Sequence, residues 1–392
     1  MIRKILQTQL GLLFRSVETK THELNYLFWE CTTRCNLHCR HCGSDCTASS
    51  GEADMPLADF IRALDTIPQS AVVPRFTVVL TGGEPLLRPD LPEIGRALRG
   101  RGMGWSIVSN GWLYDQAMHQ RLMAAGLGAL TISLDGLEAD HDWMRGREGS
   151  FGRTRQAIAI AAAERRLNFD VVTCVNQRNL PHLQEIHDLL ASLGVPQWRI
   201  FTIIPIGRAN DHPELHLTNA QFVELMEFIK QKRQQKNPPM NVTFSCEGYL
   251  GRYECEVRQN PYFCHAGINI ASVLIDGPSA PAPTSTATPS GRATSTVTTS
   301  SKCGRTASSP SASATGRVAV SAATARSLAA ALAAGCTTGT AIAARCSTAT
   351  TAKPSDSKRC LQPPPHGTVP AFLPILDMQF LYRSYIADIR TI

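Results

Sequence analysis

Residues 1–277 predict an α/β chain whose strand–helix units curl into a partial (β/α)6, TIM-like barrel. Three observations lead there: six apolar runs of strand length, five helical stretches lying one between each pair, and a glycine following most helix ends. The first run, NYLFWECT (25–32), is aromatic and apolar enough for a buried strand. LADFIRALDTI (57–67) follows with apolar residues every three or four positions, then the run FTVVLTGG (76–83). LPEIGRALRGRG (91–102), GWSIVSNG (104–111), YDQAMHQRLMAAG (114–126) and ALTISLDG (129–136) continue the alternation. GRTRQAIAIAAAERR (152–166), DVVTCVN (170–176), LPHLQEIHDLLASLG (180–194) and WRIFTIIPIG (198–207) complete it. Repeated βα units imply a parallel sheet with right-handed crossovers, and a ligand site at the C-terminal ends of the strands.

Composition narrows the function. The 392 residues are 43% hydrophobic but only 6% aromatic, and no run of about 18 apolar residues offers a membrane span. The first 20 residues mix apolar with charged positions at helical spacing, so a helical extension over 1–21 is expected rather than a secretory signal, and a cytoplasmic location with it. The net charge of +7 is uneven. Up to Gly277 there are 28 Lys+Arg against 29 Asp+Glu; beyond it, 11 against 3. The folded part therefore has no phosphate-seeking stripe, and nucleic-acid binding is not expected. From Pro278 to Cys360 the chain is mostly Ser, Thr, Ala, Pro and Gly with no aromatic residue, a composition that predicts disorder.

Thirteen cysteines in such a chain point to metal or redox chemistry rather than a disulfide framework. Five fall within sixteen residues, in ECTTRCNLHCRHCGSDC: Cys31, Cys35, Cys39, Cys42 and Cys46. The core spacing, Cys35-x3-Cys39-x2-Cys42, directly follows the first strand. Three thiolates on one short loop hold three corners of a [4Fe–4S] cube and leave one iron open; zinc or a closed cluster normally takes four. Cys31 or Cys46 would supply that fourth ligand, although Cys31 reads better as a packed thiol on its strand. At the end of the second strand lies TGGEP (Thr81–Pro85). Its glycines Gly82 and Gly83 permit close backbone approach, and Glu84 or a neighbouring carbonyl can accept from an ammonium group.

These motifs together resemble the radical S-adenosylmethionine enzymes. The resemblance implies that Cys35, Cys39 and Cys42 hold the cluster, and that S-adenosylmethionine chelates the open iron. It also implies that the segment Gly82, Gly83, Glu84, Pro85 receives the amino group of that cofactor. In this family the reduced cluster cleaves the cofactor to a 5′-deoxyadenosyl radical, which abstracts a substrate hydrogen. An aromatic residue often precedes the last cysteine; here it is His41. SNG (Ser109–Gly111), ISLDG (Ile132–Gly136), HDWMRGREGSF (His141–Phe151) and IPIGRA (Ile204–Ala209) extend the match. By analogy Ser133, Asp135, Asn110 and Arg145 bind the ribose and carboxylate of the cofactor. Each also reads as a turn, cap or ion-pair residue, since Asn-Gly and Asp-Gly are common turn signals.

Late in the folded part, Cys246, Cys255 and Cys264, followed by Gly277, resemble the start of a SPASM domain, an extension that holds auxiliary [4Fe–4S] clusters in many peptide-modifying relatives. The pattern breaks at Gly277, where the composition also changes. Read one base out of frame, PSAPAPTST (278–286) permits SISACPNID, which restores the Gly-x4-Cys spacing of that domain. The expectation is a shifted reading frame, with auxiliary clusters lost, and Cys303, Cys336, Cys346 and Cys360 without function. The implied domains are 1–21, a helical extension; 22–235, the barrel; 236–277, the start of a SPASM-like region; and 278–392, the tail. The implied activity is maturase-like, on a peptide or protein, with reduced flavodoxin or ferredoxin as electron donor. A tetrapyrrole or small cofactor precursor is the alternative substrate, and a non-catalytic iron–sulfur or zinc protein the alternative class.

Overall fold

The computed structural model describes residues 11–275, apart from positions 12, 14, 22, 50–52, 66, 68–71, 246–247, 261, 263, 267 and 274. The tail 278–392, with its four cysteines, and Cys246 and Gly277 lie outside the described residues. Of the expected N-terminal extension, residues 15–21 are helical.

All six expected strands form, in one parallel sheet. They are β1 (Leu24–Thr32), β2 (Val72–Gly82), β3 (Gly104–Ser109), β4 (Ala129–Ser133), β5 (Asn168–Val175) and β6 (Gln197–Thr202). Two four-residue strands absent from the sequence reading, β7 (Asn241–Phe244) and β8 (Ile270–Val273), take the two edges. The order is β7-β6-β5-β4-β3-β2-β1-β8, an open sheet of eight. The chain crosses from one edge to the other, so β8 pairs with β1 in the register Tyr26↔Ile270 to Trp29↔Val273. Because all pairs are parallel, the loops leaving the strands emerge at one end of the sheet, where a site belongs.

After β1, the helices among the described residues are α1 (Leu57–Asp65), α2 (Leu91–Gly100), α3 (Gln116–Ala124), α4 (Glu138–Arg145), α5 (Ser150–Ala162), α6 (Leu183–Ser192), α7 (Asn219–Gln234) and the single turn α8 (Glu254–Val257). The sequence reading placed five of these and missed α4, α7 and α8. α4 is short, and its core-facing residues His141, Met144 and Arg145 are mostly polar. α7 is opened by a reciprocal capping box between Thr218 and Gln221.

The apolar core lies between sheet and helices. On β1, Leu27, Trp29 and Cys31 alternate onto the buried side, and the Trp29 ring stacks on Phe60 of α1 with centroids 3.6 Å apart. On β3, Trp105 is buried and donates through Nε1 to Ala125 O at 3.2 Å. The indole lies where a side chain at Gly95 of α2 would stand, which explains a glycine inside a helix, where it costs about 1 kcal/mol. Among the described residues no helix is long and apolar enough to cross a membrane.

Candidate functional site

The loop after β1 (33–56) has little apolar material of its own. It is held instead by capture of its backbone. Cys35 N–H donates to Thr47 O at 2.8 Å, which closes the loop on itself. His38 N–H donates to Arg145 O and Arg40 N–H to Met144 O, at 3.2 and 2.9 Å, and Arg208 N–H reaches Cys42 O at 3.1 Å. Arginine side chains take further carbonyls. Arg88 donates to Cys31 O (2.6 Å) and Met55 O (3.1 Å), Arg147 to Asn36 O (2.8 Å), and Arg208 to Cys39 O (2.7 Å) and Cys46 O (3.2 Å). Two left-handed glycines let the neighbouring segments approach. A side chain at Gly146 would lie 2.5 Å from His38 O, and one at Gly207 2.5 Å from Cys42 O.

This framework gathers thiols. Cys35, Cys39, Cys46 and Leu37 form one buried group, with Cys42 and Trp112 packed against it. Cys31 is not among them: it is fully buried in the main core and its thiol lies 3.4 Å from Thr81 O. Asn110 Nδ2 lies 3.9 Å from Cys35 Sγ, and Arg145 Nη1 3.6 Å from Cys39 Sγ. Burial pushes the Cys35 thiol up to about 11 and raises Cys39 as well, against the pull of Arg145. Cys42 moves the other way, to about 5, chiefly because the Cys46 thiol hydrogen-bonds to it. A donor set of clustered thiols, with N–H groups of Asn110 and Arg145 aimed at two of the sulfurs, fits an iron–sulfur cluster.

The segment after β2 forms the floor. Gly83 N–H donates to Thr32 O at 2.7 Å, and Glu84 N–H to Arg34 O at 2.9 Å. A methyl group on Gly82 would overlap Thr32 O, and one on Gly83 would overlap Arg34 O, so both glycines are required by the cysteine loop resting on them. Glu84 is fully buried. Its Oε1 accepts from Ser109 Oγ at 2.9 Å and Leu86 N at 3.1 Å, and its Oε2 from Asn110 N at 2.7 Å. Burial pushes this carboxyl up to about 7, despite the three donors. Pro85 opens the short 3-10 turn that follows. Asn110, seated by that carboxylate, passes Nδ2 to Asn36 Oδ1 at 2.8 Å in the cysteine loop.

The ends of β4 and β5 supply charge. Asp135 is buried and ion-paired with Arg145 at 2.7 Å, with His41 Nε2 3.6 Å away. Burial opposes its charge, but Arg145 and His41 hold its carboxyl below the usual carboxylate range. His41 itself is lowered to about 4 by burial, so the imidazole is neutral at pH 7. His41, Asp135 and Cys174 bring one donor atom each within 4.8 Å of one another. Asn176 closes a turn, its Oδ1 accepting from Arg178 N at 2.8 Å.

Of the residues singled out in the sequence, Gly82, Gly83, Glu84, Pro85, Asn110, Asp135 and Arg145 thus surround the loop of Cys35, Cys39 and Cys42. Arg145 pairs with a buried carboxylate rather than a surface one. Ser133 ends β4, half-buried, two residues before Asp135. Cys255 and Cys264 are exposed. The sequence reading missed Asn36 and Arg88, and it held Ser109 and Arg208 only as parts of the SNG and IPIGRA segments, without a role. An arginine that ends on a distant carbonyl has no local pattern to betray it.

Comparison with known proteins agrees. The Radical SAM superfamily model matches residues 29–190. An AdoMet-dependent heme synthase of Oleidesulfovibrio alaskensis is 28% identical over 239 residues, 61% of this chain and 60% of that protein. The mycofactocin maturase MftC of Mycobacterium tuberculosis is 32% identical over 53% of this chain and 52% of its own. The chain thus spans about 60% or less of the length of these relatives. Among solved structures, Streptococcus suis SuiB bound to its precursor peptide SuiA superposes with a TM-score of 0.54 at 16% identity, covering 67% of this chain and 61% of that one. That likeness is one of fold. Residues 29–190 are thus similar to the radical SAM domain, the module that the motifs around Cys35–Cys42 and Gly82–Pro85 resemble.

Proposed function

We propose that the chain is a radical S-adenosylmethionine enzyme in which Cys35, Cys39 and Cys42 hold a [4Fe–4S] cluster and the cofactor takes the remaining iron. The observation that carries this is the buried thiol group resting on the Gly82–Pro85 floor at the strands' C-terminal end. Bound there, a reduced cluster supplies the electron that cleaves S-adenosylmethionine to a 5′-deoxyadenosyl radical. Asn110 and Arg145 place N–H dipoles at the sulfurs and favour their anionic form. Glu84 fixes the ends of β2 and β3 relative to each other, while the Gly82–Pro85 backbone receives the cofactor's amino group. Asp135 keeps Arg145 charged and in place, and Ser133 lines the mouth where the ribose binds. The electron comes from a small acidic donor protein, reduced flavodoxin or ferredoxin.

The substrate is a peptide, by likeness to the mycofactocin maturases at 32% identity. A second reading, an iron porphyrin or other tetrapyrrole precursor, is favoured by the longer match to the heme synthases, 61% of the chain. Residues 236–277 are the start of a SPASM-like region, and the tail after Gly277 is a shifted frame that removes the auxiliary clusters. Sequencing the coding DNA across codons 270–310 tests that point: a continuous frame with no SISACPNID-type alternative refutes it. For the activity, anaerobic reconstitution should load about four irons per chain. Dithionite and S-adenosylmethionine should then yield 5′-deoxyadenosine, and Cys39→Ala should abolish both. Zinc uptake without cluster, or a cluster whose spectrum ignores S-adenosylmethionine, would overturn the reading. Faster 5′-deoxyadenosine formation with a porphyrin than with peptides would move the substrate to the second class.

A further inference from the structure

On one side the thiols are covered by a single ring. Trp112 packs against the group of Cys35, Leu37, Cys39 and Cys46 and is itself half-buried, so part of the indole reaches solvent. Arg147 lies over it with the guanidinium carbon 3.6 Å from the ring centroid, and Arg153, in the first turn of α5, stands 6.0 Å away. We propose that Trp112, Arg147 and Arg153 form the docking patch for an acidic electron donor of the flavodoxin type, and that the electron enters the chain here, beside Cys35. The inference rests on the cluster reading above and concerns only where its electron arrives.

Three observations support it. The first is charge. Arg147 and Arg153 are both exposed, and Arg147 donates to a carbonyl, Asn36 O at 2.8 Å, rather than to a carboxylate. The neighbouring Asp142 is taken up by Gly149 N, Ser150 Oγ and Phe151 N. That leaves Glu148 as the one acidic residue between positions 146 and 163, against Arg147, Arg153 and Arg155. A ring bracketed by cations complements a partner whose redox group has an apolar edge among carboxylates.

The second observation is connection. Trp112 N donates to Asn110 Oδ1 at 2.9 Å, and Asn110 Nδ2 lies 3.9 Å from Cys35 Sγ. Arg147 reaches the same place through Asn36, the residue that follows Cys35. Two short routes therefore lead from the patch to a cluster ligand. The third is the poorer alternative. Another exposed stretch of the loop, Gly43–Asp45, holds no cation of its own, and its Asp45 is paired with Arg208.

One electron crosses the patch. The flavin hydroquinone of the donor is oxidised to its semiquinone, the cluster is reduced by one, and no bond or proton changes hands there.

The test uses the full chain, reconstituted anaerobically, with flavodoxin as the probe. Binding of oxidised flavodoxin, which transfers no electron, is measured first. Arg153→Glu should raise the dissociation constant roughly tenfold or more, the scale on which steering charges act. Arg165→Glu makes the same change of charge beyond the other end of α5, and it should leave binding within about twofold of wild type. About 1 M salt, which confines charge interactions to about 3 Å, should erase the effect of Arg153→Glu. Stopped-flow reduction should follow binding. Flavodoxin hydroquinone should reduce the Arg153→Glu chain roughly tenfold more slowly, whereas dithionite, which needs no docking surface, should reduce variant and wild type alike. Equal binding by wild type and Arg153→Glu, or equal weakening by Arg165→Glu, would overturn the patch and leave the cluster reading standing. A wild type that loads no four-iron cluster would overturn that reading, and the electron's route with it, whatever the binding shows.

Discussion

The sheet and the cysteine loop are held by opposite means. β1 is fixed by burial: Trp29 and Leu27 pack under α1, and the strand is paired on both sides along its middle. The loop that leaves it buries Leu37 and thiols but hardly any other apolar side chain. Its order comes from carbonyls captured by Arg88, Arg147 and Arg208, and from glycines that admit close backbone contact. Apolar burial is tolerant of small changes in shape. Carbonyl capture and glycine contact are not. The metal site is therefore more exacting in sequence than the fold that carries it, and the two should fail separately.

The sharpest test of that separation is Gly83→Ala. Its methyl group would overlap Arg34 O, so the loop must lift off the β2 floor. Cluster iron after reconstitution should fall to background, while the far-ultraviolet circular dichroism of the sheet stays as in wild type. If iron loading survives, the floor is not what seats the loop. Phe60→Ala attacks the other side. Removing the ring stacked on Trp29 should cost about 3–5 kcal/mol in denaturant unfolding, with iron per folded chain unchanged. A parallel loss of iron would mean the two regions are one cooperative unit.

The smallest expected effect is one of pH. Glu84 has a folded value near 7, above its unfolded value of about 4.5, so the fold prefers its protonated form. Its contribution is complete below pH 4.5 and is lost as pH rises through 7, a fall of up to about 3 kcal/mol for a wholly buried group. Chemical denaturation of the cluster-free chain at a series of pH values reads this slope. Glu84→Gln should flatten it between pH 5 and 8, at a lower overall stability, because the amide nitrogen cannot accept from the donors that the carboxylate serves. An unchanged slope would show that the three donors already hold the carboxylate ionised.

What was legible in the sequence divides along the same line. The long apolar runs gave away β1 to β6, because buried parallel strands must be apolar throughout. β7 and β8 escaped because four residues are too few to show a period, and both sit at edges. Cys35, Cys39, Cys42 and the Gly82–Pro85 segment were readable because each is a local spacing. The place of Arg208, 169 residues from the carbonyl of Cys39 that it serves, exists only after folding. Cys31 was legible as a packed thiol from its place on the first strand, whereas nothing local showed that Cys46 would join the other thiols.

β8 spans only Ile270–Val273, yet it lies along β1, the strand from which the cysteines hang. A bare β1 would offer its hydrogen-bonding edge to any other chain, beside the most oxidation-prone part of the molecule. With β8 in place the outermost strand is four residues long, too short to template such pairing well. β8 thus shields the middle of the cysteine-bearing strand, Tyr26 to Trp29, with four residues that end at Val273.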